Sequence, residues 1–259
     1  MKRFEDKVAI VTGCGRGVGR AVALGLAREG AKIVINDIDE EPAQETLKMV
    51  QEVGSEGLIH LASVTDRPGV QAMVDKVVEK WGTIHILINN AGILRTAMIT
   101  RMTEDEWDGV VDTHLKGMFN CLQAAGRAMI ERAKTTPEAV SNGKIVNITS
   151  VAGMRGTVGQ INYGSAKAGI IGLTMSAARE WARYRINVNA VGFGIVATRM
   201  TETLRTDPRF QQQYLEQIPW RLYGTPELVA PSVVFLAAPD SDYMTGQTLS
   251  VCGGMCIHF

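Results

Sequence analysis

Val8-Ala9-Ile10-Val11-Thr12-Gly13-Cys14-Gly15-Arg16-Gly17-Val18-Gly19 decides how this chain folds. Val8 to Val11 reads as a short buried strand, the glycine string as a tight turn, and Arg20 to Glu29 as a helix that starts at once. Strand, glycine turn and helix in that order separate a phosphate cradle from ordinary turn punctuation. Without Cβ atoms at Gly13, Gly17 and Gly19 the backbone can turn sharply and approach a pyrophosphate, whose charge meets the free N–H groups of the helix N-terminus. A second strand, Ala31 to Asn36, ends in Asp37, eighteen residues after Gly19. A carboxylate there accepts hydrogen bonds from the adenosine ribose and repels a 2′-phosphate, so NAD is the expected cofactor rather than NADP. Arg16 argues the other way if it turns toward such a phosphate, and argues nothing if it lies in solvent.

Working outward, apolar runs such as Ile33 to Ile35 and Ile84 to Ile88 alternate with helix-length amphipathic stretches. That is the pattern of a buried parallel sheet with crossover helices. The expectation is an α/β chain, a single-domain Rossmann-type doubly wound parallel sheet of about seven strands over residues 1–259, with no linker and no internal repeat. Between Glu131 and Gly143, Thr135-Thr136-Pro137 and Ser141-Asn142 supply turn formers, which predicts a lengthened surface loop away from the site or an extension of the preceding helix.

A second group of residues carries chemistry. Tyr163 and Lys167 stand four residues apart, with Ser150 thirteen residues upstream of the tyrosine. On a helix this spacing puts phenol and ammonium on one face, about 5–6 Å apart at Cβ. An ordinary tyrosine titrates near pH ~10 and becomes a useful acid or base at neutral pH only when a fixed cation stabilises its phenolate, which Lys167 is placed to do. On spacing alone, a solvated Tyr–Lys pair is the better explanation of these two residues, and the rest of the chain has to reverse that.

Taken in order, the pieces resemble the short-chain dehydrogenase/reductase family over nearly the whole chain. Thr12 to Gly19 has the family form TGxxxGxG, and Asn89-Asn90-Ala91-Gly92 matches its NNAG. Ser150, Tyr163 and Lys167 align with its catalytic residues, and Thr245 to Gly254 looks like its last strand and glycine pair. The resemblance implies cofactor contacts at Gly13, Arg16, Gly17, Val18, Gly19, Asp37, Ser63, Val64, Asn90, Ala91, Gly92, Tyr163, Lys167, Val196 and Thr198, the last on the nicotinamide carboxamide. Asn90 also reads as purely structural, and Thr198 as a helix cap.

Three positions depart from the family pattern. Ser63 stands where an aspartate usually meets the adenine amino group, and Phe193 where a proline precedes Gly194, its ring facing either the nicotinamide or the core. His114, in Asp112-Thr113-His114-Leu115-Lys116-Gly117, replaces the asparagine that helps hold a relay water. Two readings stay open for it: a catalytic imidazole titrating between pH ~5 and 8, or a neutral hydrogen-bonding strut. The Glu131–Gly143 connection is longer than the family's usual one.

The pattern is closest to 3-oxoacyl-thioester reductases and 3-hydroxyacyl-CoA dehydrogenases, with steroid or aromatic alcohol dehydrogenases next. The implied activity interconverts a secondary alcohol and a ketone, CoA thioesters included. A variable substrate lid is expected around 199–220, containing Met200, Leu204, Phe210, Tyr214 and Trp220, residues whose helical spacing favours packing the lid onto the body slightly over lining an apolar substrate site. Arg95, Arg155, Arg199, Arg205 and Arg221 are available to an anionic substrate tail. The family also implies a homotetramer or homodimer formed through helices over Glu104–Arg132 and Tyr163–Arg183. A catalytically silent NAD-binding subunit or sensor is the alternative of another class, and the complete Ser150, Tyr163 and Lys167 set argues against it.

Other classes are disfavoured by composition. The formal net charge is zero, giving no global field toward nucleic acid or anionic lipid. No apolar run approaches the ~18 residues of a membrane span, and Met1 to Lys7 enters the first strand without a signal core, so a cytoplasmic enzyme is expected. Cys14, Cys121, Cys252 and Cys256 are too scattered for a disulfide framework. Cys252, Cys256 and His258 offer no evident fourth metal ligand, and no metal is expected.

Overall fold

The computed structural model describes residues 2–257. Its seven strands are Val8–Thr12 (β1), Lys32–Asp37 (β2), Gly57–Leu61 (β3), Ile86–Asn89 (β4), Gly143–Ser150 (β5), Ile186–Phe193 (β6) and Thr248–Val251 (β7). They form one sheet in the order β3-β2-β1-β4-β5-β6-β7, every pair parallel. The helices are Gly17–Arg28 (α1), Glu40–Glu52 (α2), Arg67–Trp81 (α3), Glu104–Val111 (α4), Gly117–Thr135 (α5), Ala152–Arg155 (α6), Ile161–Trp181 (α7), Glu202–Thr206 (α8), Pro208–Glu216 (α9) and Pro226–Ala237 (α10).

The continuous apolar strands are buried on both faces, as a parallel sheet covered by crossover helices requires. In β1, Ala9 and Val11 face the core under α1, α2 and α10, while Val8 and Ile10 face the core under α3, α5 and α7. Phe193 belongs to the first of these cores, which settles its ring as packing. β1 lies between β2 and β4, so the chain reverses direction across the sheet there, and the crevice at their carboxyl ends is where a doubly wound sheet receives a ligand.

Two local features position the site. Thr103 and Glu106 form a reciprocal capping box at the start of α4. Between α4 and α5 the helix is interrupted by a π turn, Asp112–Lys116, which carries His114. The expected helix over Glu104–Arg132 is therefore present with one widened turn, a device that redirects side chains and recurs at functional sites. Beyond Thr135 a loop over 136–142 runs to the start of β5, at the amino end of the strands, opposite the crevice.

Candidate active site

The turn from β1 into α1 passes through Gly13 at φ +61° and Gly17 at φ +58°, conformations that cost glycine nothing. A Cβ on Gly13 would stand 2.7 Å from the Ala91 backbone, so the turn packs directly on the segment after β4. Asn90 laces the two together, its amide donating to the Thr12 and Gly13 carbonyls at 3.0 and 2.9 Å. The Thr12 hydroxyl accepts from the Asn90 and Ala91 N–H groups at 3.0 and 3.1 Å. Asn90 is thus a strut of the turn. Gly19 packs against it, and Val18 packs on the core.

α1 begins without a capping side chain and without an acid in its first turn. Its N-terminal N–H groups and the positive end of its dipole are open to an anion. On the rim, Asp37 Oδ2 accepts from the Gly15 N–H at 2.7 Å, and Oδ1 from Ile38 and Asp39 at 2.8 and 3.2 Å. These three donors fix the carboxylate at the end of β2. Arg16 is engaged by Asp39 at 2.8 Å. Asp37 pairs with Leu61 across the sheet, which brings the residues after β3 alongside. There Ser63 bonds the Thr65 hydroxyl at 2.8 Å, and buried Val64 offers its carbonyl to Asn120 at 3.0 Å. Thr198 overhangs the turn, its methyl 3.5 Å from where a Gly17 Cβ would be, and the carbonyl of buried Val196 accepts from Thr201 at 2.5 Å. An open helix end, a turn without side chains and a fixed carboxylate beside it fit a dinucleotide: pyrophosphate on α1, ribose on Asp37.

Ser150 ends β5, and Tyr163 and Lys167 lie one turn apart on α7. The Ser150 hydroxyl accepts from the Ala152 N–H at 3.1 Å, donates to the Phe193 carbonyl at 3.4 Å and lies close enough to the Tyr163 phenol to favour its ionised form. Burial pushes that phenol up to about 12, and Ser150 pulls it back only in part. Buried Lys167 donates from Nζ to the Ile148 carbonyl at 2.7 Å and sits 5.4 Å from the centre of the Tyr163 ring. Burial lowers its ammonium to about 7. The spacing argument placed both groups on one helix face; the structure adds that both are buried, and burial is the largest cause acting on each proton affinity.

His114 reaches this cluster from the π turn. Its ring meets that of Tyr163 edge-on, centroids 5.1 Å apart at 89°. Nε2 lies 2.7 Å from the Ile93 carbonyl and 3.1 Å from the Ile93 N–H, while buried Nδ1 has no hydrogen-bond partner among the described residues. Assigning the proton to Nε2 satisfies the shorter contact, to the Ile93 carbonyl, and leaves Nδ1 with a bare lone pair; the Ile93 N–H then has no acceptor on the ring. Burial and then the Lys167 charge hold the imidazole well below its ordinary value, with the Ile93 bond opposing. Of the two sequence readings, the geometry favours the neutral strut. Gly92 makes room for it, since any Cβ there would strike the His114 ring.

Several residues that hold the site escaped the sequence reading. Fully buried Asn162 donates to the Arg95 and Glu106 carbonyls at 3.1 and 2.8 Å and accepts from the Tyr163 N–H at 2.7 Å, tying the loop after β4, α4 and the tyrosine together. Thr149 donates to the Lys167 carbonyl at 2.6 Å. Asn89 donates to Asn147 at 2.8 Å, and Asn147 to Thr174 at 2.9 Å, so a buried polar thread fastens α7 to β4 and β5. Asn147 and Thr149 carried a signal, being polar residues inside an apolar strand; Asn162 had only its place beside the tyrosine.

Elsewhere, Cys252 Sγ accepts from the Cys256 N–H at 3.2 Å, and among the described residues no three His, Cys, Asp or Glu side chains gather as metal ligands. His258 lies outside the described residues. No described helix is long and apolar enough to cross a membrane.

A family model described as enoyl-(acyl carrier protein) reductase matches residues 13–256. The chain belongs to the short-chain dehydrogenase/reductase family. Among the relatives of this short-chain dehydrogenase/reductase, the 3-oxoacyl-(acyl-carrier-protein) reductase of Thermotoga maritima is 41% identical over 255 residues, covering 98% of this chain and 100% of its own. That of Staphylococcus aureus is 42% identical over 250 residues, 96% of this chain and 98% of its own. Among solved structures, levodione reductase superposes with a TM-score of 0.91 at 34% identity, covering 97% of this chain and 98% of its own. The chain is thus a short-chain oxidoreductase of a family that binds a nicotinamide cofactor.

Proposed function

We propose that this protein is an NAD-dependent dehydrogenase/reductase that interconverts 3-oxoacyl and 3-hydroxyacyl thioesters. The observation that carries the reading is Ser150, Tyr163 and Lys167 gathered at the carboxyl ends of the strands beside an open glycine turn. The names of the 3-oxoacyl relatives support the substrate class. Asp37, fixed at the ribose position with Arg16 drawn off by Asp39, supports NAD.

When bound, the nicotinamide supplies or accepts the hydride. The substrate oxygen sits between the Ser150 and Tyr163 hydroxyls. Ser150 steadies that oxygen as its charge changes, and Tyr163 gives it a proton in reduction or takes one in oxidation. Lys167 holds the cofactor ribose and fixes the backbone at Ile148. His114 braces the Tyr163 ring against Ile93.

Over the site, the lid comprises a 3-10 turn at Arg199–Thr201, α8 and α9. The Phe210 and Tyr214 rings lie 6.5 Å apart on α9, and Arg155 donates to Gln217 at 2.8 Å, linking the lid to the turn after Ser150. The exposed apolar side chains Trp107, Phe119, Ile161 and Met175 on α4, α5 and α7 support a homotetramer or homodimer paired through these helices.

Following NADH fluorescence against 3-hydroxyacyl-CoAs, hydroxysteroids and aryl alcohols tests the substrate class. The acyl thioesters should give the highest kcat/KM, and a hydroxysteroid or aryl alcohol turned over better would replace it. Kinetics with both cofactors should favour NAD at least about tenfold, since a lost ribose pair and phosphate repulsion together exceed ~1.4 kcal/mol. Equal use of NADP would sink the assignment of Asp37.

A further inference from the structure

The end of the sheet opposite the active site holds a cavity of about 230 Å³. Lys7 before β1, His85 before β4 and Asn142 before β5 line it, so it lies at the amino ends of the strands whose carboxyl ends carry the chemistry. Its wall is the lengthened loop over 136–142, through Val140, Ser141 and Asn142. The charge around it is unbalanced. Arg3 is taken by Glu29 and Asp240, and Lys144 by Asp242, yet Lys7 and Arg132 have no ion pair among the described residues. Arg132 donates one N–H to the Asn142 carbonyl at 2.9 Å. His85 accepts the Val8 N–H on Nδ1 at 3.0 Å, and burial followed by the Arg132 and Lys7 charges lowers it to about 4, so it stands as a neutral donor through Nε2. A cation in the last turn of α5 complements the helix dipole, which accounts for Arg132 but not for Lys7 and His85 arriving from two other elements.

We propose that this cavity binds a small dianion, a phosphate or a dicarboxylate, held between Arg132 and Lys7 with His85 at its edge. Arg132 and Lys7 are the two cations that no carboxylate engages among the described residues, one for each charge of a dianion, and the guanidinium fork suits either oxyanion. The space is below the ~300–1,000 Å³ typical of sites for larger ligands, so it suits a small anion better than a nucleotide or an acyl thioester.

Inorganic phosphate and malonate are titrated separately into the intact protein at fixed ionic strength, with calorimetry for affinity and NMR of the His85 ring for location. At least one should saturate and move the His85 resonances, and its affinity should fall about tenfold or more in Arg132→Gln and in Lys7→Gln, as loss of a charged hydrogen bond predicts. Phosphate alone binding assigns the phosphate class, and malonate alone the dicarboxylate class. Should Arg132→Gln fail to fold, Lys7→Gln, on a half-buried side chain, carries the same test. An unmoved His85 ring, or wild-type affinity in the variants, overturns the proposal and places any bound anion elsewhere, such as the open end of α1.

Discussion

Replacing Lys167 with methionine tests the electrostatics of the site without any substrate. The ammonium is buried and donates to the Ile148 carbonyl, and burial alone lowers it from 10.5 to about 7. Between those two pH values the unfolded chain binds more protons than the folded one, so wild-type stability rises with pH across that window. At 1.36 kcal/mol per pH unit, the ionisation cost is about 4–5 kcal/mol at pH 6.5 and about 1–2 kcal/mol at pH 9.5. Methionine fills a similar volume and carries no charge, but leaves the Ile148 carbonyl without its donor, a loss of about 1–3 kcal/mol. Lys167→Met should therefore be more stable than wild type at pH 6.5 by a few kcal/mol and lose about 3 kcal/mol of that advantage by pH 9.5. Turnover should disappear at both. Urea unfolding of the cofactor-free proteins at pH 6.5, 8 and 9.5, at one protein concentration, reads the difference. A stability difference independent of pH would show that Lys167 keeps its proton in the fold, and would refute the reasoning from burial.

Two further outcomes follow from the surroundings of Tyr163. His114→Asn should keep the wild-type kcat profile around pH ~6.5, because burial holds the imidazole well below its ordinary range; loss of a transition near pH ~6.5 would restore the titrating relay. Asn162→Asp removes both donors to the Arg95 and Glu106 carbonyls, so urea unfolding should show a loss of about 2–6 kcal/mol with a fall in kcat, and a change below about 0.5 kcal/mol would show that Asn162 does not hold the tyrosine.

The parts of this protein legible in its sequence are those written in local order. The β1–turn–α1 stretch specifies strand, cradle and helix within consecutive residues, and the four-residue step from Tyr163 to Lys167 is a property of any helix. The remainder depends on approach through space. Nothing near position 114 shows that the helix widens by a π turn, or that the ring it carries will meet Tyr163 at 5.1 Å. The proton affinities of the pair were illegible for the same reason: spacing fixes the helix face but not the burial, and burial is the largest cause acting on both groups. Asn162 shows the limit most plainly, because its partners Arg95 and Glu106 lie 67 and 56 residues away.

Burial acts in one direction on the groups of the site: Tyr163, Lys167 and His114 are each displaced toward their neutral forms, and burial is the largest cause for all three. A phenol at about 12 is fully protonated at neutral pH, which is the form ketone reduction needs, and taking its proton away at pH 7 costs about 7 kcal/mol. Oxidation of an alcohol has to begin with that loss, so the two directions should differ in pH dependence. The kcat for oxidation should climb with pH through 7 to 10, by up to about tenfold per unit, while reduction stays nearly flat until the phenol itself begins to titrate. Lowering of the phenol's pKa in the complex shifts the start of the climb downward without changing its sign. Initial rates in both directions over pH 6 to 10 decide the point. An oxidation rate that is flat across that range would mean that the proton leaves through a group other than Tyr163.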